Sequence, residues 1–172
     1  MEASMDQPKI IKINTVCFTG HRNIAKDTAL LIPRALDTVI SGLIAMGATS
    51  FRLGGAMGFD TIAALSVLEA KEKYPHITLD LILPCRNQTE KWDEHSIRAY
   101  NYILSRADSV SYVCDTYKKG CMLERNRRLV DGSDILIAYR ERTNGGSAYT
   151  YQYAEKKGLE IINVYDILKS EK

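Results

Sequence analysis

Short apolar segments rich in β-branched residues alternate along the chain with longer segments whose apolar positions recur at helical spacing. The short segments predict six β-strands, at residues 10–18, 49–53, 77–83, 109–113, 134–139 and 160–164. The longer segments predict five helices, at about residues 28–46, 56–74, 89–106, 120–130 and 146–157. The first helix carries Ile32, Leu36 and Leu43 on one face, which indicates packing against a sheet. Because proline is tolerated only near a helix start, we expect Pro33 in its first turn.

The alternation of strands and helices predicts the fold class. Parallel neighbouring strands need crossover connections, and those crossovers are right-handed, so we expect an α/β fold: a doubly wound, mostly parallel sheet of about six strands with helices on both faces. Ligands of such sheets bind beyond the carboxyl ends of the strands, near the point where the strand order reverses. The loops after the first, second, third and fifth strands are therefore candidate sites. We expect a single domain over residues 10–172, after a disordered N-terminus at residues 1–9.

Composition excludes several classes of protein. The formal net charge is +2, from 23 Lys and Arg against 21 Asp and Glu, which gives no general attraction to nucleic acid or to an anionic membrane. No apolar run approaches the roughly 20 residues that span a bilayer, and the first ten residues do not form a secretory signal. We therefore expect a cytoplasmic protein without a membrane partner. The 4 cysteines form no CxxC pair and the 3 histidines are scattered, so we expect no metal site.

The clearest candidate for chemistry is a glycine-rich junction between the second strand and the second helix. It contains Gly54, Gly55, Ala56, Gly58 and Asp60, from which we expect ligand contacts. The glycines can turn tightly and let a ligand approach the backbone, while the helix start offers N–H donors and a partial positive charge. Phosphate groups suit such a corner, although glycines at strand-to-helix turns also serve packing alone. The structural alternative for Asp60 is to accept hydrogen bonds from the turn and so favour the helix start.

Two further polar loops follow predicted strands. The loop after the first strand contains Thr19, Gly20, His21 and Arg22. Its guanidinium can bind an anion through two parallel hydrogen bonds, and its imidazole can donate or accept. A turn of solvated polar residues is the alternative. The loop after the third strand contains Pro84 and Cys85, where a polar ligand could reach the thiol. The alternative there is a thiol that packs as a small apolar group.

A second glycine-rich helix start follows the fifth strand. It contains Gly145, Gly146 and Ser147, which supply backbone N–H groups and a hydroxyl group. If the sheet is parallel, this helix start, the junction at Gly54 and the turn at Gly20 meet at one crevice. The sequence therefore predicts one site for an anionic, nucleotide-like ligand.

Several segments of the chain resemble the SLOG superfamily, and most closely its YpsA-like branch of bacterial proteins. They are CFTGHR at residues 17–22, GGAMGFD at 54–60, PC at 84–85 with KW at 91–92, CMLERNRRLVDGSD at 121–134 and NGGSAYTYQYAEKKG at 144–158. The resemblance spans nearly the whole chain and implies a Rossmann-like domain whose glycine turns hold a nucleotide or a derivative of one. Members are proposed sensors or effectors. The segments also look like the Rossmann-type domain of the DNA-processing protein A (Smf) family, which binds single-stranded DNA.

The LOG enzymes of the same superfamily hydrolyse nucleoside monophosphates to base and ribose phosphate. The resemblance places Arg125 at the arginine of their motif, with Asn126 beside it as a further ligand-binding candidate. The glutamate of that motif has no counterpart, because its position holds Thr150 or Gln152, depending on the alignment. Neither side chain is suited to stabilise the charge that develops in glycosidic cleavage or to activate water. We therefore expect binding rather than catalysis, with Arg125 as the catalytic candidate if the chain is a hydrolase.

These arguments leave three hypotheses for the function. The first is a cytoplasmic sensor or effector that binds a nucleotide or nucleotide derivative in a phosphate-binding crevice and signals to a protein partner, with no cofactor required. The second is a phosphoribohydrolase of nucleoside 5′-monophosphates. The third is single-stranded DNA binding, which the near-neutral charge disfavours because phosphate contacts supply most of such affinity. The resemblance also suggests a homodimer.

Overall fold

The structure, a computed structural model, describes residues 12–141 and 144–171, and the predicted disordered N-terminus at residues 1–9 lies outside them. Strands and helices alternate through these described residues. The strands are β1 (Thr15–Gly20), β2 (Ser50–Leu53), β3 (Thr78–Leu83), β4 (Ser109–Tyr112), β5 (Ile135–Tyr139) and β6 (Glu160–Asn163). The helices are α1 (Lys26–Ala45), α2 (Phe59–Lys73), α3 (Glu94–Arg106), α4 (Cys121–Val130), α5 (Gly146–Lys156) and α6 (Val164–Ser170).

The strands form one parallel sheet in the order β4-β3-β2-β1-β5-β6. The first four strands are added one beside the next, and the chain then crosses to the free side of β1, where β5 pairs along its length from Val16–Ile135 to Gly20–Tyr139. The strand order therefore reverses at β1, and a crevice opens between the carboxyl ends of β1 and β5. The predicted doubly wound α/β fold is confirmed.

Successive residues of the central strand face two different apolar layers. Val16 and Phe18 of β1 join the larger core, to which α1, α2, α3 and α6 contribute. Cys17 points to the opposite face, where it packs with Leu129 of α4 and Ala154 of α5. Because side chains along a strand alternate between the two faces of a sheet, β1 is buried on both sides. The loop that follows β1 therefore starts from a strand that is enclosed on both faces.

Helix α1 differs from its prediction in two respects. It begins at Lys26, so Pro33 lies inside the helix rather than in its first turn. Because proline has no N–H group, it gives up one hydrogen bond of the helix there. The helix is also long and apolar enough, by length and composition alone, to cross a membrane, contrary to the expectation from the sequence. The core helix of a globular domain meets the same criterion, and Ile32, Leu36 and Ile40 of α1 are fully buried in the core.

Side chains next to two other helices determine where those helices begin. Asp93 accepts hydrogen bonds from the backbone N–H of Ser96 at 2.9 Å and from its hydroxyl group at 2.6 Å, so α3 begins later than predicted. Asn163 accepts a hydrogen bond from the Tyr165 N–H at 3.3 Å and starts α6 directly after β6. The sequence predicted no helix there, because neither glycine nor proline separates this short helix from the strand before it.

Candidate ligand-binding site

A cavity of about 320 Å³ lies at the carboxyl edge of the sheet, where the strand order reverses. The loop after β1, the start of α2, the first turns of α4 and the start of α5 form its walls. The predicted site residues that line it are Thr19, Gly20, His21, Arg22, Ala56, Asp60, Arg125, Asn126, Gly145, Gly146 and Ser147. The lining does not include Gly54, Gly55, Gly58, Pro84 and Cys85. The structure thus brings together the loops after β1 and β5 and leaves the loop after β3 outside the cavity.

The loop after β1 is held closely against the start of α2. The Phe59 N–H donates a hydrogen bond to the His21 carbonyl at 3.0 Å. Gly58 has a φ of +75°, and a Cβ atom on it would lie 2.6 Å from Arg22 Cα and would overlap the Arg22 carbonyl. A Cβ atom on Gly20 would lie 2.5 Å from the Phe59 ring. These two glycines therefore allow the close approach that fixes His21 and Arg22 at the cavity.

Gly54 and Gly55 face protein atoms rather than the cavity. A Cβ atom on Gly54 would lie 2.5 Å from Arg125 Nη1, and one on Gly55, whose φ is +66°, would overlap the Leu83 side chain. The Gly55 carbonyl accepts a hydrogen bond from Gln88 Nε2 at 3.1 Å. The glycine pair therefore makes room for a buried arginine and for the end of β3, which is the packing role that the sequence left open.

Arg125 and Asp60 place opposite charges in the wall of the cavity. Arg125 is 5% exposed, donates through Nη1 to the Gly54 carbonyl, and donates through Nε to Asn126 Oδ1 at 2.8 Å. Burial lowers the pKa of the Arg125 guanidinium, and the charge of Asp60 opposes that shift. Burial raises the pKa of the Asp60 carboxyl, and Arg125 and the Ala56 N–H, which donates to Asp60 Oδ2 at 3.1 Å, oppose it. Each charge thus stabilises the other in surroundings that favour neither.

His21 links the end of β5 to the start of α5 across the cavity. Its Nε2 atom accepts a hydrogen bond from the Glu141 N–H at 3.1 Å, and its Nδ1 atom lies 3.2 Å from Ser147 Oγ. The imidazole also meets the Tyr139 ring edge-on, with 6.1 Å between ring centroids. His21 and Ser147 are both buried. The imidazole therefore has a fixed orientation at the edge of the cavity.

The loop after β3 packs behind the cavity. Cys85 is fully buried behind the cavity. Burial raises the pKa of the Cys85 thiol, and Cys121 and Cys114 raise it further. A protonated thiol is a poor nucleophile. The position of Cys85 therefore agrees with the packing alternative rather than with direct ligand contact.

More residues of α4 line the cavity than the sequence predicted. Met122, Arg125, Asn126 and Leu129 all contribute to the lining, and their spacing of three and four residues places them on one face of a helix. That spacing could have identified Met122 and Leu129. Further lining residues that were not among the predicted site residues are Phe18, Asn23, Leu123 and Asn144. Of the apolar residues in the lining, Met122 is half-buried and Leu123 is exposed, whereas Phe18 and Leu129 are buried in the core.

The other two arginines of α4 pair with a neighbouring carboxylate. Arg127 Nη2 lies 3.1 Å from Glu124 Oε2, and Arg128 Nε lies 3.2 Å from Glu124 Oε1. These ion pairs are on the outside of the helix, and neither arginine lines the cavity. Among residues 12–141 and 144–171, no group of three or more His, Cys, Asp or Glu side chains could hold a metal ion.

Comparisons with known proteins connect these features to a family. The model of the YspA SLOG family matches residues 16–169. A UPF0398 protein of Brevibacillus brevis is 36% identical over 124 residues, an alignment that covers 67% of this chain and 66% of the relative. A UPF0398 protein of Halalkalibacterium halodurans is 33% identical over 151 residues, which covers 86% of this chain and 76% of the relative. The family match thus includes every segment that forms the cavity.

Solved structures share the fold at low sequence identity. DNA processing protein A from Streptococcus pneumoniae superposes with a TM-score of 0.64 and 18% identity, over 88% of this chain but 50% of that protein. DNA processing protein A from Helicobacter pylori, studied for its single-stranded DNA binding mode, superposes with a TM-score of 0.65 and 18% identity, over 94% of this chain and 74% of that protein. The chain therefore spans about half the length of the Streptococcus protein. The sequence match and the shared fold together show that this chain belongs to the YspA SLOG family, the YpsA-like branch of the SLOG superfamily.

Proposed function

We propose that the protein binds a small phosphorylated nucleotide, or a derivative of one, in the cavity between the ends of β1 and β5. The observation that carries this proposal is the meeting of a helix N-terminus, a buried hydroxyl group and a buried guanidinium in one cavity at the reversal of strand order. In open α/β sheets, this is the position at which ligands bind. The ligand class follows from the donors that the cavity presents.

The start of α5 is suited to a phosphate group. Among the described residues, Ala148 N–H donates to the Gly145 carbonyl, while the N–H groups of Gly146 and Ser147 have no backbone acceptor. Such N–H groups carry the partial positive charge of a helix N-terminus, which favours anions. A Cβ atom on Gly146 would have nothing within 4 Å, so a ligand can approach the backbone closely here. The corner therefore supports binding of an anion.

The remainder of the cavity supports a nucleoside attached to that phosphate. Arg125 has five N–H donors, and the described contacts use two of them. Met122 is half-buried and Leu123 is exposed, so these two side chains offer apolar surface for a base. A volume of about 320 Å³ falls at the lower end of the range of roughly 300–1,000 Å³ for small-molecule sites. These features favour a mononucleotide over an extended polymer.

The cavity supports binding more than hydrolysis. Thr150 is fully buried, and its hydroxyl group donates to the Gly146 carbonyl at 3.2 Å, while Gln152 is exposed. Asp60, which does line the cavity, is engaged by the Ala56 N–H at the start of α2. We therefore propose a cytoplasmic sensor or effector whose liganded state is read by a protein partner, with phosphoribohydrolysis as the competing activity.

Calorimetric titration against nucleoside mono-, di- and triphosphates, with cyclic and ribosylated forms, tests the proposal. We compare the wild type with Gly146→Phe, which adds a ring where the backbone faces open space at the cavity. Gly42→Phe is the matched control, since Gly42 of α1 is also exposed and a Cβ atom on it would also have nothing within 4 Å. We expect Gly146→Phe alone to lose binding. No binding by the wild type, or equal binding by all three proteins, contradicts the proposal.

Two further assays separate the competing functions. Release of free base from nucleoside monophosphates, followed by chromatography, would instead indicate a phosphoribohydrolase. The fold shared with DNA processing protein A gives single-stranded DNA binding its support, and a gel shift with a single-stranded oligonucleotide at two salt concentrations tests it. A complex that weakens steeply with salt would favour DNA binding over our proposal.

A further inference from the structure

His21 joins three elements at one corner of the cavity. It follows β1, its Nε2 atom meets the N–H of Glu141 just after β5, and its Nδ1 atom meets Ser147 in the first turn of α5. The two distances are 3.1 Å and 3.2 Å, and His21 and Ser147 are 9% and 8% exposed. This corner is therefore an ordered, buried hydrogen-bond chain rather than a pair of solvated side chains.

The direction of that chain follows from the chemistry of its ends. A backbone N–H group can only donate, so His21 Nε2 must present its lone pair to Glu141. The hydrogen bond made by one ring nitrogen sets the protonation of the other, so the neutral imidazole carries its proton on Nδ1. The Nδ1–H group then donates to Ser147 Oγ. His21 in this state is a donor to the serine and does not act as its general base.

The serine hydroxyl is consequently left to donate. Its oxygen receives a hydrogen bond from His21, and no acceptor for its proton lies among the residues that the structure describes. The N–H groups of Gly146 and Ser147 point from the same helix start. The corner therefore offers three donors, two from the backbone and one from the hydroxyl group, to whatever enters the cavity.

We infer that His21 is a positioning residue that fixes Ser147 as a hydrogen-bond donor to a phosphate monoester oxygen of the ligand. This inference rests on the proposed function and specifies which end of the nucleotide meets α5. A fully ionised phosphate has only acceptor oxygens, so it can accept from all three donors, and such charge-assisted bonds are the strong ones. A nucleoside without a phosphate leaves these donors without a charged partner.

Two substitutions at position 21 separate this role from simple packing. In His21→Asn the side-chain amide takes the place of Nδ1 and can donate to Ser147. In His21→Gln the amide reaches the place of Nε2, where it can accept from Glu141, but nothing replaces Nδ1. The probe is adenosine 5′-monophosphate, with adenosine as the matched ligand without phosphate.

We expect His21→Asn to bind adenosine 5′-monophosphate within about threefold of the wild type. We expect His21→Gln and Ser147→Ala each to bind it at least about tenfold more weakly, as for loss of a hydrogen bond to a charged group. The double variant should lose little more than either single variant, because both remove the same donor. Affinity for adenosine should change little in any of them. Circular dichroism confirms that each variant is folded.

Long-range 1H–15N NMR of the histidine ring provides a readout that needs no ligand. The inference predicts a protonated Nδ1 and an unprotonated Nε2 in His21 at pH 7.5. A ring protonated on Nε2, or equal binding of adenosine 5′-monophosphate by Ser147→Ala and the wild type, overturns this inference alone. If the wild type binds no phosphorylated nucleotide, the proposed function and this ligand assignment fall together.

Discussion

Replacement of Gly58 by alanine tests how the loop after β1 is held at the cavity. Gly58 has φ +75° and ψ −120°, a conformation that is readily accessible to glycine and strained for other residues. An added Cβ atom would also overlap the Arg22 carbonyl and lie 2.6 Å from Arg22 Cα. Both are backbone atoms of the loop, so no side chain can rotate away to relieve the contact. The substitution must displace the loop or the start of α2.

The magnitude follows from two separate costs. A residue held in a sparsely populated backbone region costs about 1–3 kcal/mol, and overpacking adds about 1–3 kcal/mol. We therefore expect the free energy of unfolding to fall by about 4 kcal/mol. For a domain of this length, that loss lowers Tm by roughly 8–16 °C. Gly158→Ala is the matched control, because Gly158 has φ +77° and a Cβ atom on it would have nothing within 4 Å. Gly158→Ala should lower the free energy of unfolding by only about 1–2 kcal/mol.

Urea unfolding followed by circular dichroism measures both variants against the wild type. The slope m should be unchanged, so that the shift in the midpoint reports stability. Gly58→Ala should also weaken binding of adenosine 5′-monophosphate, because His21 and Arg22 lie on the displaced loop, whereas Gly158→Ala should not. Equal losses of stability for the two variants would refute the argument, since their positive φ angles are nearly the same and only Gly58 has the backbone contact.

The remaining predictions concern groups whose pKa or burial is perturbed. Burial raises the pKa of the Cys17 thiol to about 12, so iodoacetamide at pH 8 should leave it unmodified in the folded protein and should react first with half-buried Cys114, as peptide mass mapping would show. Burial alone would raise the pKa of Asp108, but hydrogen bonds from a lysine and a backbone N–H lower it overall. The stability that Asp108 contributes is therefore present above the ordinary carboxyl pKa and is lost as pH falls through the lowered one. Asp108→Asn should thus be less stable than the wild type at pH 7, and the difference in urea unfolding should shrink as pH falls below the ordinary carboxyl pKa. Arg125→Met should lower the free energy of unfolding by about 3 kcal/mol and weaken binding of adenosine 5′-monophosphate at least about tenfold, because it leaves a buried carbonyl without its donor and removes the cation that most favours a buried carboxylate. Arg128→Met, on the outside of α4, should change stability by less than about 0.5 kcal/mol.

The fold was predictable because its signal is local and repeated. Each strand is a short apolar segment and each long helix has apolar positions at helical spacing, so alternation alone predicted a parallel sheet covered on both faces. At two helix starts that the sequence did not predict, a single side chain decided the outcome. Asp93 moved the start of α3, and Asn163 began a short helix that has no glycine or proline before it. The interior position of Pro33 was missed because tertiary burial of α1 outweighs one lost hydrogen bond.

The position of the cavity was predictable from the sequence, but its lining only in part. Glycine-rich turns indicated the edge of the sheet at which the cavity lies, yet the sequence could not tell a glycine that faces open space from one that faces a buried side chain. Gly54 makes room for Arg125, which is 71 residues away along the chain. Gly146 also belongs to a pair of glycines that precedes a helix, but it faces open space. Only the three-dimensional packing separates the two, because each contact joins segments that are distant in sequence.

The position of β1 between β2 and β5 has a consequence for the synthesis of the protein. His21 and Ser147, which meet at the cavity, are 126 residues apart. A nascent chain that has not yet released α5 from the ribosome lacks one of the four walls of the cavity. Under the proposed function, a ligand binds fully only after α5 has emerged, and at a hundred times its Kd it would stabilise the folded chain by about 2.7 kcal/mol over a truncated product that cannot bind it.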